Sequence, residues 1–476
     1  MARQPLPADG NDGRPPSWTP SVRKGDGPVY LAIADAIAAD IASGSLSDGT
    51  RLPPQRTLAD RLGIDFTTVS RAYAEARRRG LVDGRVGQGT FVRVKRSASP
   101  ASGGPVASGL IDMSMNLPPR FSDPALTARM WAGIAELEAT GGLDLLLRYQ
   151  EAGGAAADRA AGARWLSPRL PAIPPAQVLV CPGAQGALLA VAGLLAAPGE
   201  TICVEALTYP GFRSLAAHLR IRLAGVAMDA EGIDPDAFDA ACRREKPKAL
   251  YCTPSIHNPT TATMPRSRRE AVAAVARRHG VPIIEDDPYG PLLGAPLPPL
   301  ATLAPELTYY VAGLAKTLSP ALRIAYLAVP DIRAAARVAG AIRATAAMAS
   351  PLTAAIATTW IGAGTAEAVL AAIRKEAGLR QALAARILPP GAAIAHPEGY
   401  HLWLPLAAPW TRGEFAARLR SAGIGVVVSD AFALAQPSEA VRLGLGAAAT
   451  HAELAASLQV VADLLEQSPA MSSMVV

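Results

Sequence analysis

Cysteine is scarce in this chain of 476 residues, and its placement excludes two classes of small-scaffold chemistry. The four cysteines, Cys181, Cys203, Cys242 and Cys252, form no C-x-x-C pair and no cluster with histidine. A disulfide framework and a metal site are therefore not expected, and buried free thiols of a reducing compartment are. The opening residues, "MARQPLPADGNDGRPPSW", lack the apolar run of a signal peptide. Internal repeats are also missing. Residues 344–366 carry no charge over 23 positions, long enough to cross a bilayer. Their Ala, Thr, Ser and Gly content and internal proline fit a packed Ala-rich helix pair better than a membrane span. These absences together predict a cytoplasmic protein with no membrane partner.

What is present is unevenly distributed. Half of the residues are apolar and 18% are charged, as expected of a folded chain, and the length predicts two or three domains. Residues 1–96 hold 15 Lys/Arg against 10 Asp/Glu, whereas the other 380 hold 31 against 30. A short basic head on a neutral body is the pattern of a small domain that meets a polyanion. Composition divides the chain into a flexible segment (1–27), the basic head (28–96), a Ser/Gly/Pro linker (97–110), a large domain (111–468) and a flexible tail (469–476).

In the head, Ile33, Ile37 and Ile41 share one face of a predicted helix. Leu58 and Leu62 belong to a second helix ended by Gly63, and Val69, Tyr73 and Ala76 line a third. "LVDGRVGQGTFVRV" then reads as a hairpin with a glycine-rich tip, which completes a winged helix-turn-helix. The third helix turns Val69, Ala72 and Tyr73 inward and leaves Thr67, Thr68, Ser70 and Arg71 outward, suited to phosphates and base edges in a major groove. The segments "GSLSDGTRLPPQRTLA", "TTVSRAY" and "GQGTFV" resemble the DNA-binding domain of the GntR family. The resemblance implies contact with double-stranded DNA through Arg56, Thr67, Thr68 and Arg71, and through the wing around Gln88 and Gly89; Ser70 joins them by its outward place on the helix. Phe66 stands where some members carry a DNA-contacting arginine.

In the body, short apolar runs alternate with longer helical stretches. Strands are predicted at 177–182, 201–206, 248–254, 281–287, 308–313 and 323–329, with a helix at 265–280. This is an α/β fold with a mostly parallel central sheet, whose ligands collect at the carboxyl ends of the strands. Lys316 lies just past one such end, between two apolar runs. A desolvated lysine loses proton affinity and becomes a nucleophile toward carbonyls. Schiff-base chemistry with pyridoxal 5'-phosphate is the commonest use of such a residue, and it needs partners. Asp286 in "IIEDDPYG" offers a carboxylate for a ring nitrogen. Tyr289 and Asn258 offer donors for a ring oxygen. The helix start in "CPGAQGALLAV" offers the N–H groups of Ala184 and Gln185 for a phosphate. Arg323 can add a charge-assisted fork, and Tyr209 a stacking ring.

In that order these elements resemble the fold-type I aminotransferases of the aspartate aminotransferase superfamily, from about Leu110 to the last helix. "HNPTT", "EDDPYG", "AKTLSPALR" and "AVRLGLG" carry the likeness. The resemblance implies a homodimer, with Tyr149 reaching the cofactor phosphate of the other subunit and Arg442 binding a carboxylate of the incoming molecule. Three positions depart from the family pattern: Thr261 replaces a glycine, Gly313 a phosphate-binding hydroxyl residue, and Ala315 a frequent serine. A GntR-type head on an aminotransferase-like body resembles the MocR/GabR subfamily of bacterial regulators. That likeness implies a DNA-binding transcriptional regulator which senses an amine, an amino acid or the cofactor itself. The alternative is a working aminotransferase with an accessory head.

Overall fold

The computed structural model describes residues 18–20, 28–42, 45–47, 49–79, 81–85, 89–92, 111–140, 142–295 and 297–467. The chain divides into two compact units, Met1–Val106 and Ala107–Val476. Gln88, the linker 97–110, the tail 469–476 and most of 1–27 lie outside the described residues.

In the first unit three helices, Val29–Ala42, Gln55–Leu62 and Phe66–Arg78, bury Ile33, Ile37, Leu58, Val69, Ala72 and Tyr73 in one core. Gly63 closes the second helix in the left-handed region (φ 62°), where a side chain would be strained. Strand Val82–Arg85 pairs antiparallel with Gly89–Val92 to form the wing. One residue departs from expectation. Trp18, assigned by composition to a flexible segment, packs against this core and donates from Nε1 to Asp40 at 2.8 Å.

The second unit is organised by a seven-stranded sheet. In spatial order its strands are Val178–Cys181, Ala325–Ala328, Thr308–Gly313, Ile283–Asp286, Ala249–Cys252, Thr201–Glu205 and Arg222–Val226. Six are the predicted runs. The seventh, at the edge, alternates Arg, Leu, Ala and Gly too weakly to be read as a strand. Only Ala325–Ala328 runs against the others. This reversal matters for the site, because it brings Arg323, which precedes that strand, to the edge where the parallel strands end.

The charge-free stretch 344–366 is broken. It ends one helix (Ile332–Ala346), makes a turn, forms Pro351–Gly362 and begins Thr365–Ile387. Ala354, Ala357, Trp360 and Ile361 are buried in the core. Among the described residues no single helix is long and apolar enough to cross a membrane. All four cysteines are buried and unpaired.

A second, antiparallel sheet contains His401–Pro405, Ala440–Gly444 and Val427–Val428. The first described stretch of the unit, residues 111–118, lies against it as a strap. Ile111–Asp112 pairs with Ile424–Gly425, and the Gly444 amide donates to the Met113 carbonyl at 2.8 Å. Gly444 and Gly446 permit this approach: a Cβ at 444 would come within 2.6 Å of the Met115 carbonyl, and one at 446 would overlap that of Leu117.

Candidate cofactor site at the sheet edge

The strap, through Asn116, and the side chains of Arg442, Arg323 and Asp286 come together around Lys316. Its Nζ donates to the backbone carbonyl of Asn116. Desolvation pulls its pKa down to about 8; Arg442 and Arg323 nearby act in the same direction, and Asp286 opposes them. A lysine in this state is partly neutral at ordinary pH and competent to attack a carbonyl.

Three consecutive acids end the neighbouring strand, and alternation sends Asp286 to the opposite face from Glu285 and Asp287. Glu285 accepts the amides of Leu300 (3.0 Å) and Ala301 (2.9 Å). Asp287 accepts from Arg169 (2.6 Å), Tyr310 (2.7 Å) and the Gly290 amide (2.9 Å). Both carboxylates are therefore engaged by the fold. Among the described residues Asp286 accepts only from the Tyr251 hydroxyl, at 3.0 Å to Oδ2, and its buried Oδ1 has no partner. Burial raises its pKa to about 7, and an unpaired carboxylate oxygen in such a place invites a cation or an N–H donor.

Other predicted residues form two further groups, one at a helix start and one around Arg442. The helix Gly183–Leu195 starts without a side-chain cap, which leaves the first-turn amides of Ala184 and Gln185 available. Arg323 packs against its first residue: a Cβ on Gly183 would meet Nη2 at 3.2 Å. Gln185 and Tyr209 meet around Gly211, whose Cβ would lie 2.6 Å from Gln185 Nε2, and Gln185 Oε1 is buried without a partner. Gly313, the position that lacks a hydroxyl, is closely approached by Ala184, 3.1 Å from a Cβ built there. Thr261 adopts φ 62°, so the family glycine it replaces is one that the backbone geometry favours. Arg442 donates to Asn258 Oδ1 at 2.9 Å and to the Ser114 carbonyl, while its Nε is buried without a partner. Arg442 also lies 5.3 Å over the Phe432 ring.

Several functional positions escaped the sequence reading. Tyr251 holds Asp286 and is itself stacked on Phe212 at 3.7 Å. Asn116 Nδ2 donates to Tyr289 Oη at 2.7 Å and faces His401 Nδ1 at 3.2 Å. The strand alternation of "KALYCTP" could have flagged Tyr251; nothing local singles out Asn116 or His401.

Tyr149 stands apart from this group. It is 88% exposed, in company with exposed Trp131, Leu146 and Leu147.

On the first unit the third helix presents its predicted face. Asp65 caps it, accepting the Thr67 amide at 2.7 Å and the Thr67 hydroxyl. The Thr67 proton is thus committed, leaving an oxygen that accepts. Thr68 and Ser70 are half-buried, and Arg56 and Arg71 are exposed. Both guanidiniums rest on aromatic rings, Arg71 4.3 Å from Tyr30 and Arg56 5.8 Å from Phe66. Gly89 opens the second wing strand, and a Cβ there would meet Arg51 Nε at 2.9 Å.

Residues 110–461 match the family model for aminotransferase class I and II, and residues 29–92 match that for bacterial regulatory proteins of the gntR family. The HTH-type transcriptional regulator YdeF of Bacillus subtilis is 30% identical over 97% of this chain and 99% of its own length. This chain belongs to the MocR/GabR subfamily of GntR-type transcriptional regulators. The vitamin B6 salvage pathway transcriptional repressor PtsJ of Salmonella typhimurium is 27% identical over 88% of this regulator and 95% of its own length. Among solved structures, the α-aminoadipate aminotransferase LysN of Thermus thermophilus aligns with a TM-score of 0.67 and 24% identity, covering 75% of this chain and 92% of its own. That likeness gives the fold of the second unit.

Proposed function

We propose that this regulator carries pyridoxal 5'-phosphate on Lys316, reads an amine-bearing effector there, and changes its hold on operator DNA in response. The observation that supports this most directly is the unpartnered Oδ1 of buried Asp286 beside a lysine of depressed proton affinity. Asp286 would hold the protonated ring nitrogen, Tyr289 and Asn258 the ring oxygen, and Tyr209 the ring face. The Ala184 and Gln185 amides with Arg323 would hold the phosphate, joined by Tyr149 from a second copy in a homodimer. When bound, the cofactor supplies an aldehyde carbon that exchanges one amine for another. Arg442 then adds affinity for effectors that also carry a carboxylate. Because PtsJ is named for vitamin B6 salvage, the cofactor itself belongs among the candidate signals.

In the first unit, Arg56, Thr67, Thr68, Ser70, Arg71 and the wing at Gln88 and Gly89 would meet DNA. Thr67 suits an exposed amino group on a base better than a phosphate, since its proton is given to Asp65. A DNA partner fits a protein of the bacterial cytoplasm, which would sit on the nucleoid when bound.

The test is a pair of measurements on the full chain. Lys316→Ala should abolish the visible absorbance that appears on adding pyridoxal 5'-phosphate and leave retardation of the chain's own promoter DNA within a few-fold of the parent. Rapid amino-acid/keto-acid turnover without sequence-specific retardation would instead establish an enzyme.

A further inference from the structure

A single backbone carbonyl sets the polarity of three side chains at the site. His401 is fully buried, and its Nε2 faces the carbonyl of His257 at 3.1 Å. A carbonyl only accepts, so Nε2 carries the ring proton. The ring is neutral, because burial, Arg442 and Lys316 all disfavour its cation and lower its pKa to about 3. Nδ1 is therefore a bare lone pair. The Asn116 side chain that faces it at 3.2 Å must present its amide nitrogen, which fixes the orientation of that amide. The second proton of the same nitrogen goes to Tyr289 Oη at 2.7 Å. The tyrosine oxygen is thus occupied as an acceptor, and its own proton has no acceptor among the described residues.

We propose that Asn116 and His401 are positioning residues that make Tyr289 a dedicated hydrogen-bond donor toward an anionic oxygen in the site. Resting on the cofactor reading above, that oxygen is the ring oxygen of pyridoxal 5'-phosphate. Without the relay, the Asn116 amide could turn over, accept from Tyr289 and divert the proton that the ring oxygen needs. The groups facing Tyr289 from other elements are Arg442, Tyr209 and Asp286, with Tyr400 against its ring edge. None of them orders Asn116.

The arrangement is tested on the full chain loaded with pyridoxal 5'-phosphate, by following the pH midpoint of its visible colour. A donor on the ring oxygen disperses its charge and makes the nitrogen next to it release its proton more readily. Losing the donor therefore moves the midpoint upward, by about one pH unit for one charge-assisted hydrogen bond. Asn116→Asp accepts from Tyr289 and should produce such a shift. Its added charge is controlled by repeating the change in a Tyr289→Phe background, where the shift should be smaller by about one unit. His401→Gln keeps a donor for His257 and an acceptor for Asn116 and should stay within a few tenths of a unit of the parent. His401→Leu keeps neither and should shift. Equal shifts of Asn116→Asp in both backgrounds, or identical midpoints for His401→Gln and His401→Leu, would overturn the relay while the cofactor reading stands. A parent protein that develops no colour with the cofactor would overturn both.

Discussion

Asp286 and its two acidic neighbours carry the same functional group and have different roles, and the difference lies in which oxygens already hold a donor. Glu285 and Asp287 are saturated by backbone amides, Arg169 and Tyr310, whereas Asp286 keeps one oxygen free. Its pKa is raised by burial to about 7, from an ordinary value of 3.8. The folded state therefore holds a proton there that the unfolded chain releases, and stability falls as pH rises from about 4 to 7. Asp286→Asn removes this contribution. The cofactor-free variant should show a thermal midpoint that depends less on pH across that interval than the parent, as read by calorimetry. A parallel pH profile in parent and variant would mean that Asp286 does not titrate there. Asp286 was legible in the sequence because a strand ending in acids, three residues before a tyrosine, is a local pattern. Asn116 and His401 were not, because they lie 285 positions apart and meet only once both sheets have formed.

At the scale of elements, the third helix of the first unit was legible in full. The spacing of Val69, Tyr73 and Ala76 defines its buried side, and the exposed side follows by exclusion. What the spacing did not contain was the state of that exposed side. Arg71 and Arg56 lie on Tyr30 and Phe66, so DNA at the proposed face would have to compete with an aromatic ring for each guanidinium. Arg71→Ala or Arg56→Ala should weaken operator binding and lower the slope of log affinity against log salt by about one for each phosphate no longer neutralised. The cofactor spectrum should not change. Retained affinity and slope in both variants would remove this face from the DNA interface. In the second unit the parallel strands were equally legible, while the edge strand Arg222–Val226 was not, because its pairing rather than its composition makes it a strand. The antiparallel direction of Ala325–Ala328 was also invisible: a run of four apolar residues reads the same from either end.

For the whole molecule, the position of Tyr149 is the informative one. A tyrosine 88% exposed, following exposed Leu146 and Leu147, has its apolar surface unused within one chain. In the proposed homodimer each site takes Lys316 from one copy and Tyr149 from the other. Two defective chains should then complement. A Lys316→Ala copy paired with a Tyr149→Ala copy contains one site with both defects and one with neither. Co-expressed and purified as the mixed dimer, the pair should bind pyridoxal 5'-phosphate at half of its sites with parental affinity. Each homodimer alone should bind weakly or show no colour. Failure of the mixed dimer to regain parental affinity would keep Tyr149 out of the partner's site.

The strap 111–118 serves two basic side chains of the second unit at once. Its Ser114 and Asn116 carbonyls receive Arg442 and Lys316, the two groups that an effector in the proposed site would engage. Both side chains are therefore held on the same few residues of main chain. Whatever redirects those two side chains strips this short stretch of two hydrogen-bond donors at once.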